Sequence, residues 1–296
     1  MVSRTLDLDG LSMAYSDVGS GAPVLLVHGN PTWSFYWRTL LAALPAAGMR
    51  AVAPDHIGMG RSDKPAAADY PHTLSRRVAD LGRLIDSLAL DGPVSVVAHD
   101  WGGAIAMTWA VDHPELVDRI VLMNTAAFPL PADKAIPLAL RAARWPVVGD
   151  LAVRGLNAFS LGALVLGTGR RVLPREARRG LLEPYRTVAS RTAVHAFVQD
   201  IPVRESDPAW PVLARTRDLL PVLADKPMLI CWGMKDFVFD KGILAVWERA
   251  FPAARVLRYP EAGHYVLEDA AAQIVPEVVQ FLTADRLMAD RPTAGE

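Results

Sequence analysis

The run Val96-Val97-Ala98-His99-Asp100-Trp101-Gly102-Gly103 puts a carboxylate where an apolar strand gives way to a helix that starts in small residues. A tight strand-to-helix turn of this kind exposes a nucleophile, and its close packing needs small neighbours, which Gly102 and Gly103 supply. Ala98 stands where the usual Gly-x-nucleophile-x-Gly pattern has its first glycine. Asp is also a good helix N-cap, so the motif gains meaning from residues further along the chain. Asp236 lies in Gly233-Met234-Lys235-Asp236 and His264 in Ala262-Gly263-His264-Tyr265, both in glycine-containing loops that follow apolar strands. Nucleophile, acid and histidine in this order, on strand-end loops, match one of the chain orders of a catalytic triad. Asp240 competes as the acid, but it directly precedes the helical run 241–250 and reads as its N-cap. Glu261 is on the wrong strand, and Asn124, which ends an earlier strand where an acid could stand, is an amide. The remaining histidines are not spaced as a metal site.

A second group of polar donors surrounds this carboxylate. His28-Gly29-Asn30-Pro31 follows an early strand, so a backbone N–H beside Gly29 and that of Trp101 can bind an oxyanion. The Asn30 amide and the Trp101 indole N–H add side-chain donors suited to an anionic leaving group. An aspartate attacking an acyl carbon would give a reactive anhydride. Attack on a saturated carbon bearing a leaving group gives an alkyl ester instead, which His264 and a water can cleave. The fitting chemistries are halide displacement, epoxide opening, and opening of another strained ring such as a β-lactone. Epoxide opening usually needs tyrosine donors above the site, and the central segment offers only Tyr185.

These residues must be held by a scaffold, and the hydrophobic pattern predicts one. Apolar runs at 24–28, 50–54, 94–99, 119–123, 228–232 and 256–259 read as strands, with amphipathic helical segments such as 73–90 and 104–112 between them. Such alternation predicts a mostly parallel, doubly wound sheet with helices on both faces. From 126 to 225 the alternation stops in a Pro-, Ala- and Leu-rich stretch, which reads as a helical cap over the carboxyl ends of the strands. The expected organisation is a core in two parts, 1–125 and 226–296, with the cap between. Phe128, Leu130, Phe159, Leu161, Leu164 and Leu166 are available to line an apolar pocket. The tail from about Arg286 is polar and expected to fray.

Bulk properties narrow the partners. The 296 residues carry 31 basic and 32 acidic groups, a net charge of -1, with 51% hydrophobic residues. No run of like charges suggests nucleic acid, and no electrostatic partner is expected. The single cysteine, Cys231, reads as a core residue and fits a reducing cytoplasm. The N-terminal residues lack the apolar region of a signal peptide, and the most apolar cap stretch, 146–167, is interrupted by Asp150, Arg154 and Asn157, so no membrane span is expected. No cofactor or metal is called for.

Three motifs resemble the haloalkane dehalogenases of the α/β-hydrolase superfamily: His28-Gly29-Asn30-Pro31-Thr32-Trp33-Ser34, Pro54-Asp55-His56-Ile57-Gly58 with Ser62-Asp63-Lys64-Pro65, and His99-Asp100-Trp101-Gly102-Gly103. Cap and late motifs are similar to those of a neighbouring family, the β-lactone decarboxylases of bacterial long-chain olefin biosynthesis. They are Asn124-Thr125-Ala126-Ala127-Phe128-Pro129-Leu130-Pro131, Asn157-Ala158-Phe159-Ser160, Gln199-Asp200-Ile201-Pro202, Phe239-Asp240-Lys241 and Gly263-His264-Tyr265-Val266-Leu267-Glu268-Asp269. The resemblance implies the α/β-hydrolase fold with a helical cap inserted after the sixth strand. It also implies a triad of Asp100, His264 and Asp236, with Asn30 and Trp101 beside the scissile group. The implied reaction turns a cis-β-lactone with two long alkyl chains into a cis-alkene and carbon dioxide, and makes a β-lactone synthetase and other olefin-pathway enzymes candidate partners. Haloalkane dehalogenation is the alternative; epoxide hydrolysis and non-catalytic binding of an apolar ligand rank below it.

Overall fold

The computed structural model describes residues 3–131, 134, 137–169 and 172–284. The frayed tail expected from Arg286 lies outside the described residues. Eight strands form one sheet: β1 (Ser3–Leu8), β2 (Leu11–Val18), β3 (Ala22–Val27), β4 (Met49–Pro54), β5 (Val94–His99), β6 (Val117–Met123), β7 (Met228–Gly233) and β8 (Arg255–Tyr259). Their order is β1-β2-β4-β3-β5-β6-β7-β8. The pairs from β4 to β8 are parallel, while β1 with β2 and β2 with β4 are antiparallel. The six strands expected from apolar runs are all present. The β1–β2 hairpin at the sheet edge is an addition, turning through Asp9 and Gly10, both with positive φ.

Side chains alternate across the sheet because successive strand residues point to opposite faces. Val96 and Ala98 join one apolar cluster, packed under helices α2 (Leu74–Ser87), α3 (Trp101–Asp112) and α10 (Lys241–Ala250). Val97, from the same strand, joins the other cluster, packed under α1 (Arg38–Ala46) and α11 (Val266–Thr283). Every residue of β5 is buried. Full burial of one Val or Leu contributes about 1.5–3 kcal/mol, so the strand that delivers Asp100 is among the most firmly held in the molecule.

Between β6 and β7 the described residues form helices and no strand: α4 (Leu138–Ala143), α5 (Pro146–Gly149), a π-helical stretch at Asp150–Gly155, α6 (Ala158–Leu166), α7 (Arg175–Leu182), α8 (Thr192–Gln199) and α9 (Ala209–Leu219). The last of these packs on α2 and α3 and so returns the chain to the layer beside the sheet. A buried ion pair ties α8 to that layer: Arg77 of α2 donates to Asp200, just after α8, at 2.9 Å. No single helix among the described residues is long and apolar enough to cross a membrane.

Candidate active site

Asp100 sits at the turn from β5 into α3 with φ 51° and ψ −130°, a conformation that costs a non-glycine residue on the order of 1–3 kcal/mol. Hydrogen bonds to its backbone hold it there. Its N–H donates to Asn124 O at 3.1 Å, and its carbonyl accepts from the Thr125 hydroxyl at 2.5 Å. The turn also requires close backbone approach. A Cβ on Gly102 would lie 2.0 Å from Val27 O, and one on Gly29 would lie 2.2 Å from Asp100 Oδ2.

The strand-end loops bring the three expected residues together. His264 Nδ1 is 2.8 Å from Asp236 Oδ2, and His264 Nε2 is 3.6 Å from Asp100 Oδ1. The first is a hydrogen bond; the second is too long for one. Asp236 Oδ1 accepts the N–H groups of Val238 at 2.7 Å and Phe239 at 3.1 Å, so its carboxylate is fixed in the loop after β7. Burial alone would disfavour the His264 imidazolium, but Asp236, by charge and hydrogen bond, and then Asp100 outweigh it, and the net pKa is raised. Burial raises the pKa of Asp100, against the opposing pull of His264 and the N–H groups of Trp101 and Asn30. His99, held neutral chiefly by burial, lies 2.8 Å from His264 O through Nε2 and supports the histidine loop.

Asn30 and Trp101 both lie against the Asp100 carboxylate. The backbone N–H of Asn30 donates to Asp100 Oδ2 at 2.7 Å. The Trp101 N–H also donates to the carboxylate, and Oδ1 is the oxygen nearest His264. One Asn30 amide hydrogen goes to Val194 O at 3.1 Å, tying the core loop to α8. The Trp101 ring rests against Phe197, 5.6 Å between centroids, and Phe197 in turn has the Arg77 guanidinium 3.5 Å from its ring centre.

Two apolar lobes meet at Asp100 and Trp101. The larger, about 310 Å³, includes Asn30, Val148, Phe159, Gly162, Leu166 and His264 in its lining. The smaller, about 90 Å³, runs past Ala126, Phe128, Leu130, Leu213 and Phe239. Of the apolar cap residues singled out in the sequence, Phe128, Leu130, Phe159 and Leu166 line these lobes; Leu161 and Leu164 line a separate groove.

The rejected acids are placed elsewhere. Asp240 caps α10, accepting from Gly242 N at 2.9 Å and Ile243 N at 3.4 Å. Glu261 pairs with Lys235 at the surface. Asn124 has a role that its rejection as an acid obscured: it donates to Asp236 Oδ2 at 3.0 Å and accepts from Gly233 N at 2.7 Å. Its position at the end of β6 was the available signal. Tyr185 is fully buried and donates to Thr32 O at 3.1 Å, away from both lobes. Among the described residues, no group of three or more His, Cys, Asp or Glu side chains converges to hold a metal ion.

A carboxylate at the elbow after the fifth strand, with acid and histidine after the seventh and eighth, fits the sheet topology to one superfamily. The chain belongs to the alpha/beta hydrolase fold family, whose model matches residues 22–271. It is 43% identical over 285 residues to the cis-3-alkyl-4-alkyloxetan-2-one decarboxylase of Xanthomonas campestris pv. campestris, covering 94% of each chain. It is 36% identical over 281 residues to haloalkane dehalogenase 2 of Mycobacterium tuberculosis, again covering 94% of each. The crystal structure of the haloalkane dehalogenase DbeA from Bradyrhizobium elkani aligns with a TM-score of 0.87 at 28% identity, over 97% of this chain and 99% of that one.

Proposed function

We propose that the protein converts a cis-β-lactone (an oxetan-2-one) carrying two long alkyl chains into a cis-alkene and carbon dioxide, with Asp100, His264 and Asp236 as its triad and Asn30 and Trp101 as leaving-group donors. The observation that carries this reading is the pair of apolar lobes that share Asp100 and Trp101 in their linings, because a lactone substituted on adjacent ring carbons brings two alkyl chains to the nucleophile where a terminal haloalkane brings one. The identity to a decarboxylase over 94% of both chains supports it.

Asp100 Oδ1 attacks the ring carbon that bears the ring oxygen, and the ring C–O bond breaks. The product is an alkyl ester on Asp100 with a free carboxylate on the neighbouring carbon, facing the donors of Trp101 and Asn30. Loss of carbon dioxide then sends the C–C electron pair into the new double bond while the ester C–O bond to Asp100 breaks. The carboxylate is regenerated and no water is consumed. Inversion at the attacked carbon, followed by anti departure, turns a cis-lactone into a cis-alkene. His264, whose charged form both carboxylates favour, stabilises Asp100 as it departs.

In this organisation the described residues within 1–125 and 226–296 form the catalytic core and those within 126–225 the cap, with α9 as its return to the core. The reading assigns the protein to olefin biosynthesis in a reducing cytoplasm, with a β-lactone synthetase as a candidate partner. The second reading, hydrolytic dehalogenation, uses the same ester on Asp100 and a water activated by His264; the relatives of that name favour it. Epoxide opening lacks a donor, because Tyr185 faces away from the lobes.

The test is a paired assay on the purified protein: a long-chain cis-β-lactone with alkene followed by gas chromatography, beside bromoalkanes with bromide release followed, both with Asp100→Ala as control. Alkene formed by the wild type alone is expected. Bromide release without alkene would overturn the decarboxylase reading in favour of the dehalogenase.

A further inference from the structure

We propose that the cap docks this protein on an anionic bilayer surface, apolar helices facing the lipid, so that the larger lobe of the cavity opens into the acyl layer. The inference goes beyond the reaction proposed above and stands whatever the substrate. Along the cap, Trp145, Val147, Leu151, Leu156, Val165 and Val172 are each at least 61% exposed. Single exposed apolar residues need no explanation, but a concentration of them on consecutive elements marks an interaction surface. Val148 and Leu166 are also exposed, and both line the larger lobe, so the cavity reaches the surface within this apolar face.

Charge accompanies the apolar face. The 54 residues from 138 to 191 contain ten arginines and three acidic residues, in a chain whose 31 basic and 32 acidic groups nearly cancel as a whole. Arg141, Arg175, Arg178 and Arg179 are exposed, and none forms an ion pair among the described residues. One groove is lined by Leu161, Val165 and Val172 together with Arg175, Arg178 and Arg179, which places guanidinium groups beside apolar side chains, the pairing that an anionic headgroup and its acyl chain would meet.

The helices suit lying in the interface rather than crossing it. Val147–Gly155 and Ala158–Leu166 are apolar but bent by 69°. Each arm is only about 13 Å long, against a hydrocarbon core of about 30 Å. An anionic headgroup layer accounts for the exposed apolar side chains and the unpaired arginines beside them at once.

The test is flotation of the full chain with vesicles of equal parts phosphatidylglycerol and phosphatidylcholine, and with phosphatidylcholine alone. Two variants keep every residue that lines the lobes: Arg175→Gln/Arg178→Gln/Arg179→Gln and Leu161→Gln/Val165→Gln, each checked for an unchanged melting curve. The wild type is expected to float with the anionic vesicles, and the triple variant to bind on the order of a hundredfold more weakly, about fivefold per arginine. The Leu161/Val165 variant is expected to lose binding at every salt concentration. Because no turnover is read, failure here is separable from failure of the lactone assay. The proposal is overturned if the wild type ignores anionic vesicles, if the triple variant binds as well as the wild type, or if the apolar face closes a salt-insensitive oligomer that excludes vesicles.

Discussion

At Asp100 two costs coincide: a backbone at φ 51° and a carboxylate taken out of water by burial. The raised pKa fixes the sign of its effect on stability. Between the ordinary carboxylate value and the raised one, the folded state binds more protons than the unfolded state, so stability falls as pH rises through that interval. At neutral pH the ionised group is therefore a net liability, retained for its chemistry. Asp100→Asn keeps the shape, tolerates positive φ and removes the charge. It is expected to lose at least about a thousandfold in turnover while melting at a higher temperature at pH 7, with the gain vanishing once the pH drops below about 3.9. An equal or lower melting temperature at pH 7 would show that the neighbouring donors, not burial, dominate Asp100. His264 is raised by its carboxylates against its burial, so in Asp236→Asn its pKa should pass from above the ordinary histidine value to below it. Whichever limb of the kcat/KM profile His264 governs then moves to lower pH; an unmoved limb would mean that His264 titration does not control the rate.

At the scale of elements, what could be read in the sequence follows burial. The central strands are buried on both faces and appear as unbroken apolar runs, so β5 was legible residue for residue, and with it the elbow and its carboxylate. The β1–β2 hairpin was not, because β1 is an exposed edge strand and β2 mixes polar and apolar residues so that no run stands out, although Asp9-Gly10 carries a hairpin signal. The cap was legible as helical and apolar, but not in its parts: prolines, glycines and a π-helical stretch break it into pieces too short for periodicity to delimit. Nor could the two lobes be read, because their walls come from cap and core segments far apart in sequence. Gly162 on α6 tests which lobe accepts the longer chain. A Cβ there meets nothing within 4 Å, and the residue lines the larger lobe. Gly162→Phe should be tolerated, removing a helix-interior glycine that costs about 0.8–1 kcal/mol relative to alanine. It is expected to raise KM about tenfold or more for long-chain lactones while leaving short-chain turnover within about twofold. Equal effects on both chain lengths would mean that the larger lobe does not hold the chain.

Over the whole molecule, a net charge of -1 conceals an uneven distribution, since ten arginines between 138 and 191 are offset by acidic residues elsewhere. The sum alone points to no electrostatic partner; where the charges fall relative to the exposed apolar residues is what motivates the anionic surface proposed above. The geometry links this surface to turnover, because Val148 and Leu166 belong to both the exposed face and the cavity wall. A substrate with two long chains partitions into lipid, so an enzyme whose cavity opens at the bilayer collects it without passage through water. Salt should then matter only for delivery. The Debye length falls from about 10 Å at 0.1 M to about 3 Å at 1 M, which removes most of the attraction between arginines and anionic headgroups. Turnover of a long-chain lactone presented in phosphatidylglycerol-containing vesicles is expected to fall at least about tenfold over that range, while turnover of the same lactone dispersed in a nonionic detergent stays nearly constant. A parallel fall in both would place the salt effect in the active site, where the His264–Asp236 pair is buried and should be little screened, and would separate the cap's charge from substrate delivery.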